Sequence, residues 1–144
     1  LEKSKTYNCS IYYPIDVVVS KELNGNGKIK KINEVNNDEM ILDIGPKTIS
    51  SIKDIVNNSN TVLWNGPAGY FENQNFANGT KEILKIIANK RSKDKIYSVA
   101  GGGETVAVIN KFNKSDAFNF ISTAGGAFLE YLEGKELPGI KALS

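Results

Sequence analysis

An α/β fold, built on a parallel Rossmann-like sheet with helices on both faces, is what this sequence calls for. Short apolar β-branched runs alternate with segments of helical period, and three of the strand-to-helix junctions are rich in glycine. At 144 residues the chain is long enough for one domain that buries roughly two-thirds of the surface its unfolded form exposes.

The elements follow in order. Ile15 to Val19 has the composition of a buried strand, and the NGNG run from Asn24 to Gly27 signals a turn and hence a hairpin. Ile29, Ile32 and Val35 sit among lysines and asparagines as a half-exposed segment, before Met40 to Ile44 supplies a strand closed by Gly45 and Pro46. Ile49, Ile52, Ile55 and Val56 then fall at helical spacing, with Thr48 placed to cap the first turn and an asparagine-rich end from Asn57. Thr61 to Trp64 is a strand, Thr80 to Asn89 a helix, and Ile96 to Ala100 a strand. A helix runs from Glu104 to about Phe112, a strand from Phe118 to Ser122, and a last helix from Gly126 to Leu132. Consecutive β-α units imply parallel strands joined by right-handed crossovers.

Composition removes several kinds of chemistry. Lys+Arg 18 against Asp+Glu 16 leaves a net charge of +2, too small for a nucleic-acid or membrane-surface binder. Arg91 is the single arginine, so bidentate clamping of anions has one donor at most. Without histidine there is no Ser-His-Asp or Cys-His nucleophile and no imidazole ligand. Cys9 alone forms no internal disulfide and points to a reducing compartment, the cytoplasm. No apolar run of about 18 residues is present, and the lysine-rich start lacks the apolar stretch of a secretory signal. Opening on Leu1 rather than methionine, the chain is expected to be a fragment of a longer protein.

In a parallel sheet every strand-to-helix loop leaves at one edge, where ligands of doubly wound folds bind. The loops NGPAG (Asn65 to Gly69), GGGET (Gly101 to Thr105) and TAGGA (Thr123 to Ala127) should therefore converge. Gly101, Gly102 and Gly103 lack Cβ atoms that would keep backbone amides from a phosphate, and the next helix adds its positive end. Glu104 can hold Mg²⁺ directly or through water, and the Thr105 hydroxyl can donate to a phosphate oxygen. The structural alternative is tight packing by the glycines, with Glu104 stabilising the helix start by roughly 0.3–1 kcal/mol. The loop matches neither the Walker A pattern nor G-x-G-x-x-G. Gly125 and Gly126 open a helix whose amides can stabilise charge on a moving phosphoryl group; ordinary capping by Ser122 or Thr123 is the alternative. In NGPAGYFE, Asn65 can hydrogen-bond a phosphate, Pro67 fixes the turn and Glu72 can accept two ribose hydroxyls, against the alternative of solvated loop positions. Trp64 reads as core.

Taken together, LDIGPKT from Leu42, VLWNGPAGYFE from Val62, GGGET from Gly101 and ISTAGGAFLEYLEGKELPGIKAL from Ile121 resemble phosphoglycerate kinase in order and spacing. The likeness extends to YPIDVVV around Pro14 and so covers nearly the whole chain. It implies reversible phosphoryl transfer between 1,3-bisphosphoglycerate and Mg-ADP, giving 3-phosphoglycerate and Mg-ATP, in a two-domain, monomeric, cytosolic enzyme of glycolysis. Residues 1–144 would be the C-terminal part of its nucleotide-binding domain, with the N-terminal phosphoglycerate-binding domain and the start of the nucleotide domain missing. By the resemblance, Ile41, Leu42 and Tyr70 border the adenine, Asn65 and Pro67 lie by the phosphates, and Glu72 holds the ribose. Gly101, Gly102, Gly103, Glu104 and Thr105 meet the phosphates, with Glu104 as the metal ligand, and Gly125 and Gly126 are the catalytic positions facing the transferred group.

Three positions depart from the family pattern. Glu104 stands where aspartate is usual, Ala124 opens what is often a glycine triplet, and Tyr70 replaces a commonly aliphatic residue. The chain alone is expected to be inactive. A non-catalytic nucleotide-binding module is the competing reading, motivated by Glu104 and the missing half; a dinucleotide oxidoreductase lacks its glycine fingerprint.

Overall fold

The computed structural model describes residues 2–94 and 96–144. Its strands divide between two three-stranded sheets, one antiparallel and one parallel. The first has β1 (Asp16–Ser20) between β2 (Lys28–Lys31) and β3 (Met40–Ile44), with both pairings antiparallel. The single parallel sheet expected from the β-α alternation is thus corrected at its first strands. The NGNG turn reverses the chain at once, and between β1 and β3 there is no helix long enough to carry a parallel crossover. Val17 and Val19 of β1 are fully buried, while Ile29 of β2 is exposed, in keeping with a half-exposed second arm.

β4 (Thr61–Asn65), β5 (Tyr97–Gly101) and β6 (Phe120–Ser122) form the parallel sheet in that order. The connections are α3 (Asn78–Asp94) and α4 (Gly103–Lys111). Trp64, Ala100, Ile83, Leu84, Ile87, Val108, Ile109 and Phe118 join in one core between sheet and helices. Trp64 stacks on Phe118 with ring centroids 6.0 Å apart, so the tryptophan is a core residue. Leu63, Tyr97 and Phe120, on the other side of the strands, are exposed. The described helices therefore leave that sheet face largely open, where a covering on both faces was expected.

α2 (Pro46–Asn57) follows β3 directly and packs on α3. Gly45 is its N-cap, with Pro46 at a first-turn position where the missing N–H costs nothing. Thr48 lies inside the helix rather than capping it, and the cap comes from across the fold. The Asp16 carboxylate accepts from the Lys47 amide at 3.0 Å and the Thr48 amide at 2.8 Å, and Thr48 Oγ1 accepts from the Ile15 and Asp16 amides. Burial pushes the Asp16 carboxyl up, but these donors more than offset it, and Asp16 titrates below the ordinary carboxylate range.

α3 is longer than its apolar stripe, beginning at Asn78 and ending at Asp94. β6 begins only at Phe120 because Asn119 turns its side chain into the sheet edge, where Asn119 Oδ1 accepts from Ser98 N at 2.9 Å and from Arg91. The single arginine thus serves the edge opposite the glycine loops. The short helices α1 (Glu2–Thr6) and α6 (Pro138–Lys141) and the intervening α5 (Gly125–Leu132) complete the chain. Among the described residues, no helix is long and apolar enough to cross a membrane.

Candidate functional site

The register of the parallel sheet pairs Asn65 with Gly101 and Gly101 with Ser122, so the three glycine-rich loops leave side by side. The first two turn through positive φ, at Gly66 (96°) and Gly102 (94°), a region that glycine enters without steric cost. Their approach is close. A Cβ at Gly102 would lie 2.9 Å from Asn65 Oδ1 and 3.8 Å from Gly125 Cα, and one at Gly125 would lie 2.9 Å from Gly102 Cα. Asn65, Gly102 and Gly125 thus meet in one small space, bringing together one residue from each sequence-predicted loop.

Backbone donors face this space. The Gly102 amide is taken by Ser122 O at 3.1 Å, and the first bond of α4 runs from Val106 N to Gly102 O, so the Gly103, Glu104 and Thr105 amides have no carbonyl of an earlier turn. In α5 the first such bond runs from Phe128 N to Ala124 O, leaving the Gly126 and Ala127 amides in the same position. Ala124 is the N-cap of α5 and no side chain caps the helix; Ser122 Oγ accepts only from the Ala124 amide, at 3.2 Å, so capping by Ser122 or Thr123 does not account for this helix start. Two helix starts with positive ends are aimed at one place, an arrangement suited to a polyanion.

Thr105 is fully buried, and its Oγ1 accepts from the Gly66 amide at 2.7 Å. Its hydroxyl joins the NGPAG and GGGET loops. Glu104 is exposed in the first turn of α4, beside Gly103, where a Cβ would meet nothing within 4 Å. Among the described residues there is no group of three or more His, Cys, Asp or Glu able to hold a metal. A single outward carboxylate fits a Mg²⁺ ion that arrives on phosphates, since Mg²⁺ keeps several waters and takes few protein ligands.

A cavity of about 330 Å³ lies on the β3 side of the loops, lined in part by Ile41, Leu42, Pro67 and Tyr70. Ile41, Leu42 and Tyr70, the three residues assigned to the adenine from sequence, thus line one cavity, together with Pro67, which sequence reasoning placed by the phosphates, and its volume is within the range of small-molecule pockets. The Tyr70 amide donates to Leu42 O at 2.8 Å, fixing the loop to the strand. Glu72 is exposed beyond Phe71 and outside this lining. Gly126 is exposed and, unlike Gly125, has no neighbour within 4 Å of a Cβ position.

Sequence reasoning missed two buried groups here. Asp43, 1% exposed, accepts from Ile44 N at 2.9 Å and from Gly79 N at 2.8 Å. Burial pushes its carboxyl up, and these amide donors only partly counter it. Thr80, fully buried in the first turn of α3, accepts from the Ala68 and Gly69 amides at 3.0 and 3.2 Å. The signal available for Asp43 was a carboxylate inside the apolar run Met40 to Ile44, a residue that must find partners when the strand is buried.

Three glycine-rich strand-to-helix loops meeting at the C-terminal edge of a three-stranded parallel sheet, beside a small antiparallel sheet, make this an α/β protein. The sequence profile of "Phosphoglycerate kinase" matches residues 1–135, and the chain belongs to that family. Phosphoglycerate kinase of Francisella tularensis subsp. novicida is 50% identical over 145 residues, covering 99% of this chain and 36% of that protein. Phosphoglycerate kinase of Xanthobacter autotrophicus is 44% identical, with 99% of this chain and 37% of that one covered. Among solved structures, phosphoglycerate kinase from Coxiella burnetii superposes with a TM-score of 0.85 at 43% identity over 99% of this chain and 36% of that one. The Pyrococcus horikoshii phosphoglycerate kinase structure gives 0.79 at 33% identity, over 99% and 34%. The chain therefore spans just over a third of the relatives it matches.

Proposed function

We propose that this chain is the C-terminal, nucleotide-binding part of a cytoplasmic, monomeric phosphoglycerate kinase that reversibly transfers a phosphoryl group between 1,3-bisphosphoglycerate and Mg-ADP. In that reading residues 1–144 belong to the nucleotide domain, a Rossmann-like sheet covered on both faces once the rest of the enzyme is present, and phosphoglycerate is held by a domain outside this chain. Ile41, Leu42 and Tyr70 take the base, Pro67 lies between it and the phosphates, and Glu72 reaches the ribose. The amides of Gly103, Glu104 and Thr105 and the Asn65 side chain take the phosphates.

The observation that carries the reading is the meeting of Asn65, Gly102 and Gly125 below two helix starts. Phosphoryl transfer needs alignment and charge stabilisation rather than a protein nucleophile, which agrees with a chain free of histidine. The α5 start at Gly125 and Gly126 faces the transferred group and holds its developing negative charge with amide hydrogens and the helix dipole. Glu104 would hold Mg²⁺, which when bound neutralises charge on the nucleotide phosphates.

A coupled assay of phosphoglycerate-dependent ATP consumption tests this. The full-length enzyme carrying this sequence should turn over and residues 1–144 alone should not. Turnover by the isolated segment would contradict the division of labour, and an inactive full-length enzyme would contradict the function.

A further inference from the structure

The base-side cavity, whose lining includes Asp43, is braced by two buried side chains, Asp43 and Thr80, to which the sequence reading gave no role. Asp43 sits at the end of β3, and its carboxylate receives the Gly79 amide at the start of α3. α3 in turn presents Thr80, whose hydroxyl oxygen receives both the Ala68 and Gly69 amides. Those two residues lead into Tyr70, whose own amide is bonded back to Leu42 beside Asp43. The result is a closed circuit from β3 through the α3 start to the loop and back to β3.

Packing leaves this circuit little slack. A Cβ at Gly69 would come within 2.6 Å of Asp43 Cγ, and one at Gly79 would overlap Asp43 Oδ1. Phosphate-side contacts are separate. Thr105 bonds Gly66, and Gly102 packs against Thr105 and Gly125, whereas Asp43 and Thr80 bond Gly79, Ala68 and Gly69.

We infer that Asp43 and Thr80 are positioning residues for nucleotide-base recognition, acting through the α3 start to hold the Tyr70 loop against Ile41 and Leu42. This rests on the nucleotide reading above. Both side chains accept from backbone amides, and through those bonds they fix the loop carrying Tyr70 relative to β3. Their loss should weaken the base contribution to binding while leaving the phosphate contribution in place. A residue that only stabilises the fold would change the fraction of competent protein, not the preference for a base.

The test compares Mg-ADP with Mg-pyrophosphate binding by calorimetry, using the full-length enzyme. Thr80→Val keeps the shape and leaves the partly buried Ala68 and Gly69 amides without their acceptor, and should weaken Mg-ADP binding by about tenfold, as expected when donors shielded from water lose their partner. Mg-pyrophosphate binding should change by less than about twofold in the same variant, so the ADP preference collapses. Thr80→Ser should restore most of that preference, and Asp43→Asn should reduce it in the same sense. Equal weakening of both ligands, or no change in either, overturns the inference even with the nucleotide site intact. A wild-type enzyme that binds Mg-ADP no better than Mg-pyrophosphate removes the base site itself, and the inference with it. If Asp43→Asn fails to fold, the Thr80 pair alone decides.

Discussion

Thr105 Oγ1 accepts a hydrogen bond from the Gly66 amide at 2.7 Å, joining residues 39 apart in sequence. That bond fixes the NGPAG loop against the start of α4. Removing it by Thr105→Ala leaves the Gly66 amide without its acceptor, a loss of about 1–3 kcal/mol when the group is buried. Chemical denaturation should show that loss, and Mg-ADP affinity should fall with it if both loops hold the phosphates as proposed. Thr105→Ser keeps the oxygen and should recover both.

The two glycines of the α5 start should behave differently although they are adjacent. A Cβ at Gly125 would press within 2.9 Å of Gly102 Cα, backbone against backbone, whereas Gly126 faces open space. Gly125→Ala should separate the loops and lower kcat of the full-length enzyme by about tenfold or more, since misplacement near 1 Å can cost about a hundredfold. Gly126→Ala should leave thermal stability unchanged or raise it slightly, within about 1 kcal/mol. Steady-state kinetics and a melting curve for each variant check the pair.

Glu104 is exposed in the first turn of α4, where the proposed reading makes it the Mg²⁺ ligand. Glu104→Gln removes the charge and keeps the size, so the Mg²⁺ concentration giving half-maximal activity should rise by about tenfold. Glu104→Asp should keep or improve turnover. A Mg²⁺ titration at fixed ADP measures both.

Asp16 and Asp43 give opposite pH signatures. Asp16 titrates below its ordinary value, so its contribution is present above pH 3.8 and disappears as pH falls through the lower folded value. Asp43 titrates above 3.8, so the folded form favours the proton and this group's contribution to stability declines as pH rises from 3.8 through the raised folded value. Denaturation of Asp16→Asn should therefore show a deficit at pH 6 that narrows below pH 3.8. A deficit independent of pH would contradict the capping role of the Asp16 carboxylate.

Much of this fold was legible because periodicity is local. β3 spans the expected Met40–Ile44, and Ile49, Ile52, Ile55 and Val56 lie in α2 at the anticipated spacing. Partner choice was not legible in the same way: nothing in the run Ile15 to Val19 says that β1 would pair antiparallel with β3 rather than extend the parallel sheet. The caps were hidden for a related reason. Asp16 caps α2 across more than 30 residues, so a local rule assigned the role to Thr48. At the candidate site the glycine loops could be named because each carries its own pattern. Asp43 and Thr80 could not, because their meaning lies in loops that approach them only after folding.

The central claim is that the edge formed by Asn65, Gly102, Thr105 and Gly125 binds the phosphates of an adenine nucleotide. Calorimetric titration of the full-length enzyme with Mg-ADP tests it most directly, alongside a Gly102→Ala variant whose Cβ would stand 2.9 Å from Asn65 Oδ1. The account predicts saturable one-to-one binding that Gly102→Ala abolishes while the variant stays folded. Unchanged binding in the folded variant, or no saturable heat in the wild type, would contradict it.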